Sequence, residues 1–135
     1  KRFSGAAAGV NAKRQWLCAF CCNVHDRKVK ECSRCGAGKI EYFQSKKELA
    51  HWLDLLKLER AGEISELRRQ VTFAFETEKD AIKTPTGRVM KHTVDFQYRE
   101  KGKTVLFDVK GVDTDLGHLK RELVRIMYGH TITLY

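Results

Sequence analysis

In 135 residues, 26 Lys/Arg stand against 17 Asp/Glu, a formal net charge of +9, and 42% of the residues are hydrophobic. That length suits one domain with a small appendage, and that hydrophobic share can bury a core. No apolar run is long enough to span a membrane and no secretory signal pattern is present, so no membrane partner is expected and a cytoplasmic setting is.

The charge is uneven. Residues 1–47 hold 11 Lys/Arg against 3 Asp/Glu, whereas residues 48–135 hold 15 against 14. A basic excess gathered before the rest of the chain points to a polyanionic partner, with a solvated tail as the plainer alternative. The chain opens at Lys1 rather than methionine, so residues ahead of it are expected. Residues 1–15 read as a flexible basic arm, rich in Gly and Ala, with Lys13 and Arg14 as candidate nucleic-acid contacts.

Residues 16–41 carry all five cysteines, as Cys18-x-x-Cys21-Cys22 and Cys32-x-x-Cys35-Gly36. Two such knuckles can close a tetrahedron of thiolates around a structural zinc ion, which predicts Cys18, Cys21, Cys32 and Cys35 as its ligands. Cys22 in place of Cys21, or His25 in place of one cysteine, are the open alternatives. Trp16, Phe20, Tyr42 and Phe43 are expected to pack around the metal. Arg27, Lys28 and Lys30 interleave with the module and suit contact with a phosphate backbone.

Apolar residues at helical spacing (Leu49, Trp52, Leu53, Leu56) predict a helix over 45–61, with Ser45 as N-cap and Gly62 just beyond its end. Ser45-Lys46-Lys47-Glu48 also reads as a capping box. The spacing leaves Glu48 between that structural role and an acidic site residue. Three strands follow, over 70–76, 89–98 and 104–110, with a polar loop at 77–88 and a turn at Glu100-Lys101-Gly102-Lys103. The second strand brings Asp95 and the third Asp108 and Lys110. Paired carboxylates with a lysine beside them suit a hard cation and an attacking water. A helix follows, with Leu116, Leu119, Leu123, Ile126 and Met127 as its apolar stripe and Lys120, Arg121 and Arg125 on the other side. That basic face reads as solvated or as a phosphate contact. Residues 131–135 form a last strand, able to pair in parallel after the crossover.

This order of elements resembles the PD-(D/E)xK nuclease fold. Val94-Asp95 stands where that family has Pro-Asp, Asp108-Val109-Lys110 is the D-x-K, and Ser45-Lys46-Lys47-Glu48 matches the helix glutamate. More narrowly it is similar to small phage nucleases of Holliday-junction-resolvase type. The resemblance covers residues 43–135 and leaves out the cysteine module. It implies a restriction-endonuclease-like core (helix, three-stranded antiparallel meander, helix, strand) over 42–135, and the element order itself reads as α/β, with the zinc-ribbon module at 16–41 and the arm at 1–15 ahead of it. It also implies a Mg²⁺-dependent endodeoxyribonuclease, with Mn²⁺ as a substitute. Glu48, Asp95, Asp108 and the Val109 carbonyl would hold the cation, and Lys110 would attend the attacking water. Lys120 and Arg121 would contact DNA. A four-way junction calls for two active sites, hence a homodimer. Two other functions stay open: a non-catalytic zinc-ribbon nucleic-acid-binding protein on a degenerate nuclease scaffold, and a restriction-like or nicking nuclease of phage packaging or defence.

Overall fold

A computed structural model describes residues 14–109 and 112–135. The basic arm before Arg14, with Lys13, and the D-x-K lysine, Lys110, lie outside the described residues. The chain forms two compact units, divided between Asp54 and Leu55.

The N-terminal unit holds a three-stranded antiparallel sheet in the order β2-β1-β3, made of β1 (Gln15–Cys18), β2 (Val24–His25) and β3 (Ile40–Phe43). The buried apolar side chains of this unit are Leu17, Cys18, Cys32, Phe43, Leu49 and Trp52, and Trp16 meets Tyr42 at 5.4 Å between ring centroids. Phe20 does not join them. It is 78% exposed, which corrects the expectation that it packs around the metal.

Helix α1 (Lys46–Arg60) begins as its sequence predicts. The Glu48 amide donates to Ser45 Oγ (3.1 Å), and Glu48 Oε1 accepts the Gln44 amide (3.3 Å). It ends in a Schellman turn. Gly62, at φ +79°, donates to the Glu59 carbonyl, and Glu63 donates to that of Leu58. Leu49, Trp52 and Leu55 are its buried apolar residues, with Glu48 buried beside them and Leu53 and Leu56 half-buried.

The C-terminal unit is built on a four-stranded sheet in the order β4-β5-β6-β7. β4 (Ser65–Ala74), β5 (Lys91–Glu100) and β6 (Lys103–Asp108) form an antiparallel meander. The β5–β6 turn has two central residues with positive φ, Lys101 and Gly102, so its twist matches that of the strands. The segment after β4 is more ordered than a simple loop, with bridges at Glu76–Ala81 and Lys83–Val89. Helix α2 (Asp115–Tyr128) is capped by Thr114, whose Oγ1 accepts the Gly117 amide, and is closed by left-handed Gly129. β7 (Ile132–Leu134) then pairs in parallel with β6, as a strand after a helical crossover should. Val71, Phe73, Phe75, Val94, Leu106, Val124 and Ile132 make the core of this unit.

The expected apolar stripe of α2 holds only in part: Leu123 and Met127 pack against the core. Leu116, Leu119 and Ile126 are 54–69% exposed, whereas Val124 and Arg121 are buried. The guanidinium of Arg121 turns inward because Asp113 meets it: Nη2 donates to both carboxylate oxygens, at 2.7 and 2.9 Å. A buried arginine needs such a partner, and the pair fixes which side of the helix faces the sheet.

Candidate metal centres

The cysteine module consists of two turns of the same design. In the first, the Cys22 amide donates to the Cys18 carbonyl and the Cys21 amide approaches Cys18 Sγ (3.5 Å). In the second, the Gly36 amide donates to the Cys32 carbonyl and the Arg34 amide approaches Cys32 Sγ (3.4 Å). The residue after each second cysteine is left-handed: Cys22 at φ +62° and Gly36 at φ +78°. Cys22 is therefore a turn residue, occupying the position that glycine fills in the other knuckle.

The sulfurs of Cys18, Cys21, Cys32 and Cys35 all lie within 4.8 Å of one another. Cys18–Cys35 and Cys21–Cys32 are each separated by 3.6 Å. A tetrahedron with zinc–sulfur bonds of about 2.3 Å has edges of about 3.8 Å, so these four cysteines are arranged to hold a metal such as zinc. Among the described residues this is the one group of three or more such side chains gathered to that distance, and neither Cys22 nor His25 is in it.

The thiols do not share protons evenly. Burial pushes the Cys32 thiol up, but the amides of Cys35 and Arg34, with the side chains of His25 and Cys21, outweigh it and bring it to about 5. Cys18 is lowered, first by the Cys21 amide. The Asn23 amide lowers Cys21, but burial and the neighbouring cysteine side chains prevail and push it up to about 12. Thiolates crowded together repel, and a divalent cation between them removes that opposition. His25 is 9% exposed, its Nε2 lies 3.4 Å from Asn23 Nδ2, and it acts on the Cys32 thiol as a neighbour that lowers it, outside the four-sulfur group.

The second site lies where the β5–β6 ladder ends. The last bridged pair is Phe96–Phe107. One residue further along, each aspartate side chain takes a backbone amide. Asp108 Oδ1 accepts from the Asp95 amide (2.8 Å), and Asp95 Oδ2 accepts from the Val109 amide (2.8 Å). The strands are thus clasped by side chains where the ladder would otherwise continue, and Asp95 and Asp108 come together as their strand positions predict. Asp108 is fully buried, and its Oδ2 lies 3.0 Å from Nε2 of buried His92. Asp95 is half-buried, and its Oδ1 carries a long bond from Gln70 Nε2 (3.4 Å).

Sequence reasoning did not single out His92 or Gln70. A signal for His92 was present. His92, Val94 and Phe96 alternate along β5 and are all buried, so the imidazole needed a buried acceptor, and Asp108 was the available carboxylate. Nothing in the composition around Gln70 marks its unusual backbone.

Of the other predicted site residues, Glu48 belongs to the N-terminal unit, where its carboxylate serves the start of α1. Arg14, Arg27, Lys28 and Lys30 are exposed on that unit. Lys120 is half-buried, and Arg121 is buried in its pair with Asp113 rather than presented to solvent. Among the described residues no helix is long and apolar enough to cross a membrane.

Among the described residues, fold and sites define a small mixed α/β protein with two sheets, two helices and a four-cysteine cluster able to hold a metal. Residues 33–134 match the family described as protein of unknown function (DUF1064), and the chain belongs to that family. No curated protein and no solved structure matches the chain. The family match takes in Glu48, Asp95, Asp108 and Lys110 but only Cys35 of the four clustered cysteines.

Proposed function

We propose that the protein is a metal-dependent endodeoxyribonuclease that acts on branched DNA. The observation that carries this reading is the clasp of Asp95 and Asp108 at the end of the β5–β6 ladder. The two carboxylates are held together by backbone amides, with the His92 imidazole beside Asp108. Their oxygens are hard donors, and an oxygen accepting one amide retains a second lone pair. Asp95 is the more open of the two, which fits a cation approaching from solvent.

In this reading Asp95 and Asp108, with the Val109 carbonyl, hold Mg²⁺. The bound ion supplies Lewis-acid polarisation of the scissile phosphate. Lys110 orients the attacking water and offsets phosphate charge. His92, 3.0 Å from Oδ2, orients the buried Asp108 carboxylate. The cysteine module binds structural zinc and offers Arg27, Lys28 and Lys30 to the DNA backbone, and two copies of the chain supply the two cuts that a junction requires.

A second reading, a nucleic-acid-binding protein without catalysis, is favoured by one observation. Asp108 is wholly sealed and paired with His92, as a purely structural carboxylate would be. The test is a cleavage assay with Mg²⁺ on a labelled four-way junction beside a matched linear duplex, with Asp95→Asn and Lys110→Ala as controls. Paired cuts in the junction alone, lost in both controls, are expected. Cuts in both substrates would keep the nuclease and discard junction selectivity. Tight binding with no cleavage would move the protein to the second reading.

A further inference from the structure

Gln70 stands opposite Asp95 in the β4–β5 ladder, between the pairs Arg69–Phe96 and Val71–Val94. The register is the same on either side of it, so no residue is gained or lost there. Its backbone is nevertheless left-handed, at φ +55°. That conformation is unfavourable for a residue with a side chain, and here it makes neither a turn nor a change of register. It coincides instead with a side-chain contact, Gln70 Nε2 to Asp95 Oδ1. The other oxygen of that carboxylate is held by the Val109 amide. Asp95 is therefore addressed from both neighbouring strands, by backbone on one side and by a carboxamide on the other. A carboxamide is neutral. It can orient a carboxylate without cancelling the charge a cation needs, which a lysine or arginine at the same place would do.

We infer that Gln70 is a positioning residue for Asp95: its strained backbone persists because the carboxamide fixes the Asp95 carboxylate for a divalent cation. This rests on the reading of Asp95 as a cation ligand. Partners that orient metal-binding carboxylates typically contribute about 10- to 100-fold to metal affinity.

The experiment is a Mn²⁺ titration of the full, zinc-loaded chain, following free Mn²⁺ by electron paramagnetic resonance, with a thermal midpoint for each protein. The variants are Gln70→Gly, Gln70→Asn and Asp95→Asn. Glycine relieves the left-handed backbone, and asparagine tolerates it while holding its carboxamide one methylene short. Binding about ten-fold weaker in both Gln70 variants is expected, with the midpoint unchanged or raised for glycine and with binding lost in Asp95→Asn. Unchanged affinity in both Gln70 variants, with loss in Asp95→Asn, overturns the role of Gln70 and leaves Asp95 a ligand. Unfolding of both Gln70 variants assigns the residue to the fold and also overturns it. If the natural chain binds no Mn²⁺, or Asp95→Asn binds as tightly, the reading of Asp95 fails and the inference falls with it.

Discussion

Cys22 is the fifth cysteine of a four-cysteine cluster, and its backbone explains why it is not a ligand. It is left-handed, in the position Gly36 holds in the matching turn. A non-glycine residue pays roughly 1–2 kcal/mol for that conformation, partly offset by the larger freedom glycine loses on folding. Cys22→Gly should therefore keep full zinc stoichiometry and raise stability by about 0.5–1 kcal/mol, measured by metal content and chemical unfolding. Cys21→Ser should lose zinc in the same assay. His92 makes the opposite case, since its removal strands a partner. Asp108 is sealed from water with His92 at 3.0 Å, so His92→Ala leaves a buried carboxylate without its imidazole. A loss of about 3 kcal/mol is expected in urea unfolding. The double variant with Asp108→Ala should lose less than the two single losses together, because the second change removes the stranded charge.

The elements were largely legible because their signals are local. Ser45 and Gly62 bracket α1, the Lys101-Gly102 turn sets the β5–β6 register, and alternating apolar residues mark β5. Helix α2 was legible in extent but only partly in orientation, since Leu123 and Met127 of its expected stripe pack on the core. Leu116, Leu119 and Ile126 repeat at helical spacing and read as a core stripe, yet they are exposed. The stripe pattern assumes that charge faces water, and the pairing of Arg121 with Asp113 breaks that assumption. The two carboxylates of the candidate site were found from strand position, whereas Gln70 was hidden because no residue pattern encodes its left-handed backbone. The orientation of α2 has a direct test. Val124→Ala, at a site with no exposed surface, should cost about 2 kcal/mol by unfolding in denaturant. Ile126→Ala, at 69% exposure, should stay within about 0.5 kcal/mol. Equal costs would mean that Ile126 is covered.

The two units differ in what can hold them folded. The C-terminal unit has seven buried side chains from β4, β5, β6, β7, α2 and the segment after β4 in one core, and β7 pairs with β6 at the edge of its sheet. The N-terminal unit has six buried apolar side chains, Leu17, Cys18, Cys32, Phe43, Leu49 and Trp52, two of them cysteines of the cluster. So little apolar burial does not offset the conformational entropy of ordering the segment, and a chain of this size ordinarily needs a metal or disulfides. Four cysteines at tetrahedral spacing supply the means, since zinc binding energy becomes folding energy for such a module. Removing zinc with a strong chelator at neutral pH should therefore unfold β1–β3 while leaving the β4–β7 ladder formed. Amide hydrogen exchange resolves the two: protection at Leu17 and Tyr42 should vanish, and protection at Val94, Phe96 and Leu106 should persist. Returning zinc should restore the first set, and calcium should not, because thiolates select the softer ion. Loss of protection in both units on chelation would mean that the C-terminal sheet draws its stability from the metal as well, contrary to the self-sufficiency its core implies.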